Sequence, residues 1–330
     1  MSGDATRLDA RPGDPRDSRA RWTGIACGLA AALIWGAFPV MTRLGLTRSG
    51  LDGADITFIR YTVSGLILAP WLLRRGLGGV GWGAIAAMVV GIGAPYMLVV
   101  SVGLAQAPVE QFAVATPASM IVFASLITFA VTGARPSRRV AFGIAVIVVG
   151  ILIAGSDDIR AARTPPATWA IFLVGGLLWA IYTVTSKRCG VSALHATALV
   201  SVVSMVAYGP YYLATEGTRL FTLPPAVLAT QALYQGVLVS IFALFFYSKA
   251  VVLLGAAVGA TFAALVPASA IVLAALLLGE PPGATAAAGL VIVTLGMATT
   301  LRQAPPRHEA TIGGADPDRS PTRRSADDGQ

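Results

Sequence analysis

Charge is scarce in this sequence. Of 330 residues, 12% are Asp, Glu, Lys or Arg and 55% are hydrophobic, and the mean hydropathy is +0.73. A water-soluble domain carries about a quarter charged residues, so charge this sparse cannot cover a surface facing water. Histidine is scarcer still, with His195 and His308, and the two cysteines are Cys27 and Cys189. With so few histidines and almost no acid inside the apolar segments, the chain has no acid–base pair, no activated nucleophile and no metal cluster. Enzyme chemistry, cofactors and metals are therefore not expected. Two cysteines far apart, with no CxxC or Cys/His spacing, give neither a disulfide framework nor a zinc site. The glycine-rich run Gly76-Leu77-Gly78-Gly79 lacks the Lys-Ser/Thr of a phosphate-binding loop, which removes a nucleotide site. No cleavable signal peptide is evident, because the first apolar run follows about twenty polar residues and is too long for a signal core.

Long apolar runs fill the space that charge leaves. A helix rising 1.5 Å per residue needs about twenty residues to cross a bilayer. Polar breaks mark such runs near 24–46, 54–73, 81–104, 108–133, 139–155, 168–186, 194–214, 226–250, 255–279 and 283–301. The expected fold is an all-α integral membrane protein of ten transmembrane helices. The 36 glycines suit helices that approach one another closely. Residues 1–21 and 303–330 are rich in Arg, Asp, Pro and Gly and read as disordered cytoplasmic tails, since they have nothing apolar to bury.

Orientation follows from Lys and Arg. The even-numbered connections carry Arg74, Arg75, Arg135, Arg138, Arg139, Lys187, Arg188 and Lys249 and no acid. The odd-numbered connections mix Arg43, Arg48, Arg160, Arg163 and Arg219 with Asp52, Asp55, Glu110, Asp157, Asp158, Glu216 and Glu280. Both termini are therefore expected in the cytoplasm, with the chain in the inner (plasma) membrane. The +8 net charge belongs to this anchoring and does not indicate nucleic-acid binding.

The sequence repeats itself. Thr116-Pro117-Ala118-Ser119 returns as Val266-Pro267-Ala268-Ser269, Phe112 as Phe262, Leu104 as Leu254, and Gly143 and Gly150 as Gly289 and Gly296. Trp35, Phe38, Thr42 and Arg43 align with Trp179, Tyr182, Ser186 and Lys187. The halves are 22–156 and 167–302, each with five spans. An odd number turns the second half upside down relative to the first. Inverted repeats recur in secondary transporters, where exchanging the conformations of the halves switches the open side. Gene duplication in a membrane protein that transports nothing would leave the same signature.

The ordered motifs Leu33-Ile34-Trp35-Gly36, Phe58-Ile59-Arg60-Tyr61, Ala115-Thr116-Pro117, Leu178-Trp179-Ala180-Ile181-Tyr182, Leu265-Val266-Pro267 and Leu277-Leu278-Gly279-Glu280 resemble the EamA family of the drug/metabolite transporter superfamily. The resemblance covers residues 24–301. It implies two repeats around a central cavity and transport of small metabolites, often export. The first repeat departs from the pattern, with Thr132-Gly133-Ala134-Arg135 where the second has Leu278-Gly279-Glu280.

Charged and polar groups inside spans are the candidate site, because each is costly in hydrocarbon without a partner. Arg60 is the foremost, able to grip a substrate carboxylate with both arms of its guanidinium or to bind helix-end carbonyls. Glu110 is a candidate coupling carboxylate, or a favourable charge at a helix N-terminus, with Gln111 beside it. Trp35, Tyr96, Trp179 and Tyr182 are aromatic candidates for lining a cavity or for ordinary packing. Gln231, Tyr234 and Gln235 share one helix face, which serves a pocket or bonds a neighbouring helix. The rival to a metabolite or amino-acid exporter is a proton-coupled drug pump, and the absence of an acid in 24–46 counts against it. The expected partners are a small-molecule substrate and the lipid bilayer, with a homodimer left open.

Overall fold

The computed structural model describes residues 15–301, apart from 162, 163 and 218. Every regular element among them is helical: α1 (Pro15–Arg48), α2 (Gly53–Arg75), α3 (Trp82–Ile92), α4 (Ala94–Gln106), α5 (Val109–Thr132), α6 (Arg138–Ala161), α7 (Pro166–Arg188), α8 (Ala193–Thr215), α9 (Pro225–Gln231), a π-helical stretch (Ala232–Phe242), α10 (Ala243–Leu254), α11 (Ala256–Leu278) and α12 (Ala284–Leu301). The pair α3–α4 makes one crossing, and α9, the π stretch and α10 make another. Among the described residues nine segments are long and apolar enough to cross a membrane, and the slightly shorter Ala284–Thr300 makes a tenth apolar helix. Leu66, Leu73, Phe142, Leu152, Val252 and Leu276 stand exposed on the outside of the bundle, as lipid-facing side chains should.

Helix α1 starts at Pro15, so residues 15–21 of the expected tail are helical. Proline is tolerated in a first turn, where its missing N–H has no partner to lose. No glycine or second proline then interrupts the chain before Trp22, and the helix of the span propagates outward. The rest of both expected tails, residues 1–14 and 302–330, lies outside the described residues.

Helix pairing shows the inverted repeat directly. α1 packs on α10 and α11 of the second half, and its counterpart α7 packs on α3 and α5 of the first. α2 packs on its own counterpart α8, and α6 on α12. Glycines permit these contacts. A Cβ on Gly36 would sit 2.6 Å from Ser269 Cβ, beside the backbone of Val266 and Ala270; a Cβ on Gly176 would sit among Ser119, the carbonyl of Thr116 and the amide of Met120. Those neighbours are repeat-equivalent, so packing matches Gly36 to Gly176. Trp35 and Trp179, aligned by sequence, therefore lie about one helical turn apart in the paired halves.

Breaks in the helices are repaired by neighbours. The third crossing is interrupted at Gly93, ahead of Pro95. Tyr61 Oη donates to the carbonyl of Ile92 at 2.6 Å, and the amide of Ala94 donates to Ser204 Oγ at 3.3 Å. Irregular backbone at membrane depth is tolerable only when partnered in this way.

The bundle has two chemically distinct ends. One carries Arg74, Arg75, Arg135, Arg138, Lys187 and Lys249 and is termed the basic end. The other, the acidic end, carries Asp52, Asp55, Glu110, Asp157, Glu216 and Glu280. At the acidic end Asp52 and Asp55 form a reciprocal capping box on α2. Asp55 is fully buried, yet it receives Tyr212 Oη and pairs with Arg219 at 2.8 Å. Arg219 also pairs with Asp52, and the charges of Asp55 and then Asp52 raise its pKa further above the usual guanidinium value. Arg219→Ala should lower the thermal midpoint of the purified protein by a few degrees. The loss is about 1 kcal/mol because Arg219 is half exposed and Asp55 keeps its other partners.

Candidate functional site

Arg60 lies about two turns into α2, beyond reach of the acids that cap its own helix, because Arg219 and Tyr212 occupy those. Its guanidinium carbon sits 5.0 Å from the ring centre of Phe38 and 5.7 Å from that of Tyr61, within cation–π range. Its Nη1 makes a long 3.5 Å contact to Gln235 Oε1. Its Nε is buried and has no hydrogen-bond partner. No ion pair among the described residues includes it.

This cluster draws on both repeats, with Phe38, Arg60 and Tyr61 from the first and Gln235 from the second. Phe38, one turn from Trp35, is among the aromatics the sequence offers for lining a cavity, whereas Tyr61 was not singled out. Tyr61 stands beside Arg60 in the motif Phe58-Ile59-Arg60-Tyr61, and an aromatic next to a cation within a span was the available signal.

The polar face of the eighth crossing turns toward α1. Gln231 Nε2 donates to the carbonyl of Met41 at 2.9 Å, Tyr234 Oη to that of Ile34 at 2.5 Å, and Gln235 Nε2 to Thr42 Oγ1 at 3.0 Å. Of the two readings offered by their spacing, bonding to a neighbouring helix describes these contacts. Gln235 does both, holding Thr42 with its amide and facing Arg60 with its oxygen. The π stretch widens the turn just where these side chains lie, as π segments often do at functional positions.

The other candidates lie apart. Trp35 packs on Tyr247 with ring centres 5.4 Å apart. Tyr182 lies against Gly91, and Trp179 is half-buried one turn earlier on α7. Gln111 Nε2 donates to Thr164 Oγ1 at 2.8 Å within the buried acidic end. Glu110 is at the acidic end too, where its Oε2 accepts from the amide of Gly283 at 3.0 Å. That places it at a helix start. Two surface clefts lie at the acidic end, and neither is lined by Arg43 or Glu280. One of about 300 Å³ is lined by Leu46, Asp52, Ser101 and Gln106, the other of about 240 Å³ by Leu44, Ser49, Thr230 and Gln231. Neither touches Arg60.

Two repeats, packed against one another across the molecule, define a polytopic membrane protein built on a duplicated helical bundle. The chain belongs to the EamA-like transporter family, which it matches over residues 22–156 and again over 167–302. It is also similar in fold to a solved structure described only as the crystal structure of a protein. The TM-score is 0.53 at 18% identity, covering 86% of this chain and 96% of that one. No curated protein matches it.

Proposed function

We propose that the protein is a secondary transporter that exports an amino acid or a related organic solute by alternating access at a cavity between the repeats, with Arg60 as the anchor for the substrate's carboxylate. The observation that carries this reading is the state of Arg60. It is a guanidinium inside an apolar span with a buried, unpartnered Nε and no carboxylate of its own. Arg60 is partly buried, and leaving its buried Nε without a partner costs stability, while an anionic substrate group would supply the missing bonds bidentately. The aromatic rings around it suit the apolar remainder of a small solute. Glu110 at a helix start, bonded to Gly283, does not favour a coupling carboxylate within the membrane, and so the proton-coupled drug pump is not preferred. The direct test is counterflow of a panel of amino and organic acids in proteoliposomes. Uptake of none of them by protein that is folded and correctly inserted would end this reading.

The basic end is proposed to face the cytoplasm, by the bias of Lys and Arg toward that side. Reporter fusions after Arg75, Arg139 and Lys187 should then read cytoplasmic, and fusions near Asp158 and Glu216 external. An external reading for a C-terminal fusion would mean an odd number of spans.

A further inference from the structure

The acidic end is fastened across the repeats. Arg43, near the end of α1, donates from Nε to Oε1 of Glu280 at 2.6 Å and from Nη1 to the carbonyl of Leu104 at 2.7 Å. Glu280, just past the end of α11, accepts at Oε2 from the amide of Val109 at 3.3 Å. One ion pair thus joins α1, the end of α4, the start of α5 and the end of α11. Its side chains are only 15% and 24% exposed, so solvent and salt screen it less than a surface pair. One turn farther along α1, Arg48 adds hydrogen bonds to the carbonyls of Leu277 and Leu278 at 3.4 and 2.5 Å.

The basic end has no such fastening among the described residues. Helices α5 and α11 end alike, on left-handed glycines, Gly133 with φ 69° and Gly279 with φ 71°. Ala134 follows Gly133 as Glu280 follows Gly279, with Arg135 next, and the match of Pro117 to Pro267 puts Ala130 at the depth of Glu280. The counterpart of Arg43 on α7 is Lys187 by sequence or Thr183 by glycine packing. None of these is an acid. All three ion pairs among the described residues lie at the acidic end.

We infer that Arg43 and Glu280 are gating residues: their pair holds the acidic end shut, and its lack of a counterpart biases the resting protein toward the state open at the basic end. Arg43 belongs to the first repeat and Glu280 to the second. Opening the acidic end requires one repeat to move against the other there, so the pair must break in every cycle. The inference rests on alternating access but not on any particular substrate.

Hydrogen–deuterium exchange on the purified full chain tests it without a substrate. In Glu280→Gln, amides in 41–48, 104–110 and 274–281 should exchange about tenfold faster, the shift expected when a part-buried charged hydrogen bond is lost. Amides in 130–138 and 183–190 should become slower, because the population moves toward a state closed at the basic end. Arg43→Gln should reproduce the pattern, and the double variant should add nothing. Should Glu280→Gln not purify folded, Glu280→Asp keeps the charge and should give the same pattern at smaller amplitude. Faster exchange at the acidic end without slowing at the basic end would mean a local clasp and overturn the inference, as would no change at either end. A chain that fails the proteoliposome assay but shows the reciprocal pattern would sink the transport reading and leave the gate standing.

Discussion

Gly289→Leu should remove most of the folded protein from the membrane, whereas Gly83→Leu should leave the amount unchanged. Gly289 lies where α12 meets α6. A Cβ there would be 2.5 Å from Ala154 Cβ, 2.6 Å from the carbonyl oxygen of Gly150 and 2.8 Å from the amide of Ala154. Two of those atoms are backbone, so no rotamer change makes room and the helices must separate. The contact is reciprocal: a Cβ on Gly150 would meet the carbonyl of Gly289, and one on Gly296 the carbonyl of Gly143. Between apolar helices in lipid, close backbone approach supplies much of the attraction. Overpacking costs about 1–3 kcal/mol for added methylenes where some relaxation is available, and leucine here forfeits the neighbouring glycine contacts as well. Gly83 has nothing within 4 Å of its virtual Cβ, and leucine is a better helix former than glycine by about 0.8 kcal/mol. Detergent-extracted, size-resolved protein per cell measures both. Normal levels of Gly289→Leu would show that α6 and α12 do not need this approach.

The same glycines show why parts of the fold were legible. Gly143, Gly150, Gly289 and Gly296 recur in the sequence, and their repetition disclosed the two halves. That they face one another across α6 and α12 could not be read from it, since a repeat fixes equivalence and not contact. Spans were legible because lipid demands unbroken apolar length, and the break at Pro95 was marked by its residue. The π stretch over Ala232–Phe242 was not, because no residue type encodes it. The sequence match of Trp35 to Trp179 was displaced by a helical turn, because small-residue packing of Gly36 and Gly176 sets helix depth and aromatic identity does not.

The site was legible in a similarly uneven way. A lone arginine in an apolar run announces itself through its cost, so Arg60 stood out. Gln231, Tyr234 and Gln235 revealed a face, but not that α1 would meet it. The bond from Arg43 to Glu280 spans 237 residues of sequence, and each residue alone resembles an ordinary charge at a helix end. Only the fold places them together.

Arg60→Lys should weaken transport about tenfold to a hundredfold, chiefly through substrate affinity, with protein abundance near that of the wild type. Lysine keeps the charge and the tolerance of Phe38 and Tyr61 for a cation, but it loses the planar fork that meets both carboxylate oxygens. The range corresponds to about 1.5–3 kcal/mol for hydrogen bonds to a charged group. Arg60→Ala should lower transport at least as far. Its effect on abundance separates two roles. In this structure Arg60 has a long contact to Gln235 and two ring faces, and no ion pair among the described residues includes it, so its removal frees no described carboxylate. A structural arginine would behave oppositely: Lys would be mild and Ala would deplete the protein. The carboxylate itself supplies an independent check. Methyl esters or amides of a transported acid should compete poorly against it in wild-type protein, and the gap should shrink in Arg60→Ala. Equal competition by acid and ester in the wild type would place the carboxylate elsewhere. Unchanged affinity in Arg60→Ala would remove Arg60 from the substrate's path.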